Sequence, residues 1–175
     1  MSKTVKKRHN LFYAIIAAPR AGKTTFAFEL FKGKKGVIWI TPHTTDEQKV
    51  KEAGFIYVDA NKIEKPMNLL KLKNKTLIFD DITATDLADT RGVFLYRLAA
   101  KRGHNNLDVV FIAHGFNHLA PKAVNLLNMV TVGASGDRDL NFKKVPIWFT
   151  DEHIKRYESN KQYEFFTVES GSLLK

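Results

Sequence analysis

Short apolar runs recur along the chain, each followed by a stretch in which apolar positions take helical spacing. LFYAIIAA (11–18), GVIWIT (36–41), FIYVDA (55–60), TLIFDD (76–81), LDVVFIAH (107–114) and MVTVGA (129–134) read as six strands. TTFAFELFK (24–32), DEQKVKEA (46–53), a longer segment from about Asp86 to Arg102, and PKAVNLLN (121–128) read as helices. Apolar residues are continuous within the strands rather than alternating, so both faces of each strand need cover. Strands of that kind separated by helices predict an α/β fold with a mostly parallel central sheet and helices on both faces. In the last segment, 135–175, VPIWFT and YEFFTVE are expected as edge strands or a small appendage. No repeat, low-complexity tract or linker divides the chain, which predicts a basic N-terminal arm (1–10) and one domain over 11–175, with 136–175 as its C-terminal appendage.

In a parallel sheet of this type, ligands bind beyond the carboxyl ends of the strands. The stretch APRAGKTT lies at the end of the first strand and opens the first helix. That context suits a phosphate loop, in which backbone N–H groups and the positive end of a helix surround an anion. The nucleotide-binding candidates are Ala18, Pro19, Arg20, Ala21, Gly22, Lys23, Thr24 and Thr25. Lys23 would reach the β- and γ-phosphates, and the Thr24 hydroxyl would bind Mg²⁺. Ala17 stands where the pattern has its first glycine, so the loop entrance must hold a backbone open to L-residues.

The fourth strand ends in Asp80-Asp81. With this strand beside the first, Asp80 would share the Mg²⁺ with Thr24, and Asp81 would orient or deprotonate a water attacking the γ-phosphate. Phosphate loop and paired acids together imply a nucleoside triphosphatase using ATP and Mg²⁺.

Charge sharpens the choice of partner. Lys and Arg number 28 against 18 Asp and Glu, a formal charge of +10 that favours polyanions, nucleic acid first. Cysteine is absent, which excludes disulfides and thiolate metal sites and fits a reducing compartment. Lys3, Lys6, Lys7 and Arg8 before the apolar run 11–18 imitate a signal peptide, but cleavage there would destroy the phosphate loop. No run approaches the length of a membrane span, so a cytosolic location is expected.

The order AAPRAGKTT, LIFDDI and RLAAKRGHNNLDVVFIAHGFNHLAPKAVNLLNM resembles the FtsK/HerA superfamily of DNA-pumping ATPases over roughly residues 11–135. Within it, the chain looks most like the genome-packaging ATPases of membrane-containing icosahedral viruses. The resemblance implies a P-loop NTPase fold and translocation of double-stranded DNA by phosphate contacts. It further implies a homo-oligomeric ring and a place in the host cytoplasm or on the virion, while the basic KKRHN tail is a candidate arm for capsid or viral membrane proteins or for DNA. It implies a polar sensor at the end of the fifth strand, where the family carries Gln or Asn and this chain has His114, with Asn117 close behind. It also implies an arginine supplied by a neighbouring subunit. Arg91, Arg97 and Arg102 are the candidates, with Arg102 favoured and Arg97 second because they lie nearest the turn that matches the family. DNA contacts are expected from Lys62, Lys65, Lys71, Lys73 and Lys75, and separately from Lys143 and Lys144. Export ATPases of filamentous phage are close in mechanism but generally carry a transmembrane helix. Two rivals stay open: a nucleoside- or nucleotide-type kinase, with Asp137-Arg138-Asp139 as a faint lid signature, and a nucleotide-gated assembly factor that binds DNA.

Overall fold

The computed structural model describes residues 10–81 and 93–171. Its centre is a seven-stranded sheet: β1 (Phe12–Ile16), β2 (Val37–Thr41), β3 (Ile56–Asp59), β4 (Thr76–Phe79), β5 (Asp108–Ala113), β6 (Met129–Val132) and β7 (Phe166–Glu169). The strand order is β3-β2-β4-β5-β1-β6-β7, parallel throughout except for the antiparallel edge strand β7. The helices are α1 (Lys23–Phe31), α2 (Glu47–Glu52), α3 (Val93–Asn105), α4 (Pro121–Val124) and α5 (Asp151–Ser159).

The continuous apolar strands are explained by two cores, one on each face. Alternate residues Phe12, Ala14, Ile16, Leu77, Phe79, Val109 and Phe111 enter the larger core with α3 and α4. Their neighbours Tyr13, Ile15, Ile78, Val110 and Ile112 enter the smaller one with α1. On that second face Phe28, Trp39 and Phe55 stack, with centroids 4.3 Å apart for Phe28–Trp39 and 5.9 Å for Trp39–Phe55. The stack fixes α1 against β2, and α1 in turn carries the lysine and threonine of the loop.

The sheet differs from expectation in one respect that bears on the site. The acidic strand β4 is not beside β1, because β5 lies between them and pairs with both. Parallel neighbours are set by crossover helices, and α3 returns the chain from β4 into the central slot rather than to an edge.

Three local differences have simple causes. The helix expected over 121–128 ends at Val124, after which Leu126 and Leu127 donate to the carbonyls of Ala123 and Val124 in a tightened turn. Asn128 then leaves the helical path, its side chain accepting from the Phe12 N–H at 2.9 Å and donating to the Asn10 carbonyl at 3.1 Å. VPIWFT is a turn rather than a strand, with the Phe149 N–H donating to the Pro146 carbonyl at 2.9 Å. Pro146 has no N–H for a ladder. The turn points Val145 and Phe149 into the core and leaves Ile147 exposed. Thr150 then caps α5, which the apolar pattern does not announce; its hydroxyl accepts from the His153 N–H, and the His153 ring returns a bond to the Thr150 N–H.

Candidate functional site

The loop begins where β1 ends. The Ala17 N–H donates to the Ala113 carbonyl at 3.3 Å and the Ala18 N–H to the Ala134 carbonyl at 2.7 Å, so the loop entrance is pinned between β5 and the end of β6. Ala17 is fully buried and is not among the residues at positive φ. Its methyl occupies space that a side chain at 133 would need: a Cβ added to Gly133 would lie 2.8 Å from the Ala17 Cβ. The glycine missing from the loop entrance is thus matched by one on the neighbouring strand's exit.

Left-handed backbone is placed further along, at Arg20 (φ 62°) and Gly22 (φ 86°). Gly22 is the N-cap of α1 and offers no side chain to its first N–H groups, nor is there an acid in the first turn. Those donors therefore face the loop with the helix's positive end, the arrangement that binds anions. Pro19, Arg20 and Thr25 are exposed at the rim, while Ala18, Ala21 and Gly22 form the floor.

Lys23 lies across this floor, its ammonium donating to the Ala18 carbonyl at 2.8 Å and to His114 Nδ1 at 3.2 Å. Burial lowers its pKa, opposed by the charges of Asp80 and Asp81. Thr24 donates its hydroxyl to the Asp80 carboxylate at 3.3–3.4 Å. Although β4 is one strand removed from β1, the N-terminal turn of α1 reaches over β5 to meet it. Asp80 is 5% exposed, and burial, with the charge of Asp46 next, pushes its carboxyl up to about 6.

Asp81 sits at φ 52°, outside the usual range for a residue with a Cβ. That backbone turns its carboxylate between two imidazoles, His43 Nε2 at 3.2 Å and His114 Nε2 at 3.4 Å. A lysine ammonium can only donate, so Nδ1 of His114 is the acceptor and Nε2 carries the proton toward Asp81. Burial and the charge of Lys23 hold the His114 pKa below the ordinary value, consistent with this neutral ring. Lys23, His114, Asp81 and His43 thus form one connected chain of polar contacts. A cleft of about 400 Å³ opens above it, and Asp46, Asp80, Asp81 and Tyr163 are among its lining residues.

Other expected residues lie elsewhere. Asn117 does not face the cleft: its amide donates to the Asp139 carbonyl at 2.7 Å and accepts from the Asn141 N–H at 2.9 Å. Arg102 is tied down inside its own chain at the amino end of β1, donating to the Asn10 carbonyl at 3.3 Å with its guanidinium 5.5 Å from the Phe12 ring centre. That end of the sheet is opposite the loop. Arg97 is exposed on α3, 4.0 Å from the Met67 sulfur, and Arg91 lies outside the described residues, as does the arm over residues 1–9.

The lysines proposed as one group are split. The chain from 60 to 75 must cross from the carboxyl end of β3 to the amino end of β4, leaving Lys62 and Lys65 near one end and Lys73 and Lys75 near the other. Lys144 donates to the Asn117 carbonyl, whereas Lys143 is exposed. Asp137 is structural: it accepts from the N–H groups of Phe116 (2.8 Å) and Asn117 (3.1 Å) and from the Tyr157 hydroxyl (2.9 Å). Sequence reasoning missed His43 and Tyr163; a polar residue just past the end of β2 was the available signal for the first, and nothing local marked the second.

No family model and no curated protein sequence matches the chain. Solved structures do. The genome packaging NTPase B204 from Sulfolobus turreted icosahedral virus 2, in complex with AMPPCP, superposes with a TM-score of 0.67 at 13% identity, over 94% of each chain. Its ATP-gammaS complex gives 0.64 at 15% identity, over 92% of each chain. B204, the DNA-packaging ATPase from Sulfolobus turreted icosahedral virus, gives 0.62 at 15% identity, over 94% of this chain and 96% of that one. The chain therefore shares the P-loop NTPase fold of these proteins, a mostly parallel α/β sheet covered by helices on both faces.

Proposed function

We propose that the chain is an ATP-hydrolysing motor of the FtsK/HerA type that moves double-stranded DNA, a genome-packaging ATPase of an icosahedral virus. The observation that carries this reading is the convergence of Lys23, Thr24, Asp80, Asp81 and His114 from three separate segments into one bonded cluster over an uncapped helix N-terminus. Its likeness in fold to packaging NTPases solved with AMPPCP and ATP-gammaS supports it.

The proposed roles draw on that geometry. Backbone N–H groups of the loop between Arg20 and Thr25 hold the β-phosphate, and Lys23 shifts its ammonium from the Ala18 carbonyl to the phosphate oxygens. Thr24 and Asp80 suit Mg²⁺: a hydroxyl and a buried carboxylate, both hard oxygen donors, face each other at 3.3 Å. Few protein ligands are needed, since Mg²⁺ takes the rest from phosphates and water. When bound, it neutralises charge on the transferring phosphoryl group. Asp81, steered by His43 and His114, accepts the proton of a water whose oxygen attacks the γ-phosphorus, leaving ADP and inorganic phosphate. The neutral His114 reports on the γ-phosphate by releasing or regaining Lys23.

Double-stranded DNA as partner is supported by the charge of +10 and by exposed Lys62, Lys65, Lys71, Lys73 and Lys143. For a homo-oligomeric ring, Arg97 is the better donor to a neighbour's site, because Arg102 is committed internally. Capsid or viral membrane proteins complete the proposed assembly, in the host cytoplasm or on the virion. Among the described residues no helix is long and apolar enough to cross a membrane. The faint lid signature of the kinase alternative is weakened, since Asp137 is spent on the turn after β5.

The test is phosphate release from ATP with and without double-stranded DNA at two salt concentrations. DNA should stimulate release, more at low salt, and Lys23→Ala or Asp81→Asn should each lower it by about 100-fold or more. DNA-stimulated release that survived both substitutions would overturn the assignment.

A further inference from the structure

Tyr163 is an odd residue to find over a phosphate loop. It is 67% exposed and held at φ 66°, a region that large side chains avoid. Its ring lies against the loop: a Cβ added at Gly22 would come within 3.2 Å of Cδ1 and 3.6 Å of Cε1. The turn that presents it is fastened on both sides. Gln162 donates its amide to the Arg20 carbonyl at 3.3 Å, and Asn160 donates to the Glu164 carbonyl at 2.9 Å and the Val132 carbonyl at 3.4 Å. Phe165 stacks on Phe26 of α1, with centroids 4.8 Å apart. An exposed ring in a strained backbone, on a turn anchored to the loop it covers, is placed by its surroundings rather than left over.

The cleft also has a direction. The sheet order sets β4, with Asp80 and Asp81, on one side of β1, and β6 and β7, with the turn 160–165, on the other. A triphosphate whose terminal phosphate lies between Lys23 and the acids must leave the loop toward Tyr163. We propose that Tyr163 is the nucleobase platform: the base of a bound nucleoside triphosphate stacks on the open face of its ring. This deepens the nucleotide-site reading and rests on it. Stacking tolerates any base because every base has a π-face, so the platform supplies affinity and orientation without selecting one nucleobase.

Calorimetric titration of the full chain with ATP and with inorganic tripolyphosphate, both with Mg²⁺, tests this in wild type, Tyr163→Ala and Tyr163→Phe. Tyr163→Ala should bind ATP about tenfold more weakly while keeping its tripolyphosphate affinity, and Tyr163→Phe should match wild type. Retained tripolyphosphate binding also shows that the loop is folded. ATP affinity unchanged in Tyr163→Ala, or ATP and tripolyphosphate weakened alike, overturns the platform and leaves the nucleotide site standing. A wild type that binds neither compound overturns both.

Discussion

Asp80 should make the nucleotide-free protein less stable than it could be, and replacing it with asparagine should reveal by how much. Its carboxyl is lifted from an ordinary 3.8 to about 6 by burial, then by the charge of Asp46. Well below pH 3.8 it is neutral whether the chain is folded or not and takes no side. As pH rises through 4 the unfolded chain ionises while the folded one holds its proton, so stability falls until pH passes about 6. A rise of about two pH units corresponds to about 3 kcal/mol. Asp80→Asn keeps an acceptor for the Thr24 hydroxyl and removes the charge. The asparagine amide must itself be desolvated, so the net gain at pH 8 should lie between about 1 and 3 kcal/mol. The pH dependence is the sharper quantity, because that fixed cost cancels: the advantage of the variant should grow by about 2 kcal/mol between pH 4.5 and pH 8. Urea unfolding of both proteins at the two pH values, without nucleotide or divalent cation, measures it. An equal difference at both pH values would refute the reasoning, because Asp80 would then titrate alike in the folded and unfolded chains.

Three further outcomes are expected. His114→Ala should lower ATP turnover by about 100-fold, and protonation of the His114 ring should set in below its ordinary pH range, since burial and Lys23 keep it neutral; a pH–rate profile at saturating ATP and Mg²⁺, which hold Asp80 ionised, reads both. Gly133→Ala should cost about 1–3 kcal/mol in denaturant unfolding, because its methyl would meet the Ala17 Cβ and the Phe165 ring at 2.8 Å. Adding Ala17→Gly should recover part of that loss, with a coupling of at least about 0.5 kcal/mol in the double-mutant cycle. Asp137→Ala strips the partners from two backbone N–H groups and the Tyr157 hydroxyl, and should cost about 2–3 kcal/mol in the same assay.

Local chemistry was legible in the sequence wherever a strand's end and its motif are contiguous. The buried run before Gly22-Lys23-Thr24 and the apolar run before Asp80-Asp81 each fix a residue at a carboxyl end, and the sheet has those ends together. What the sequence does not carry is which parallel strand fills the slot between them, since any order preserves the same apolar runs. The two histidines on Asp81 illustrate the split. His114 ends a strand and was visible, whereas His43 acts only because β2 pairs with β4. Tyr163 was hidden for a similar reason, lying far along the chain in a turn that only the pairing of β7 with β6 brings to the loop. Thr150 followed by two acids is the signal for α5 that the apolar pattern lacks, and Pro146 is the residue that bars VPIWFT from a strand.

The insertion of β5 between the loop strand and the acidic strand has a mechanical meaning. A strand laddered on both sides cannot slide without breaking hydrogen bonds along two seams at once. On the proposed reading of His114, loss of the γ-phosphate would not be absorbed by sliding β5, and any displacement would leave through the turn at 115–118, which Asp137 and Asn117 strap to residues 137–141. If the chain is the proposed motor, those few bonds would carry the displacement out of the site, and stiffening or slackening them should change how much DNA moves per ATP rather than how fast ATP is cleaved.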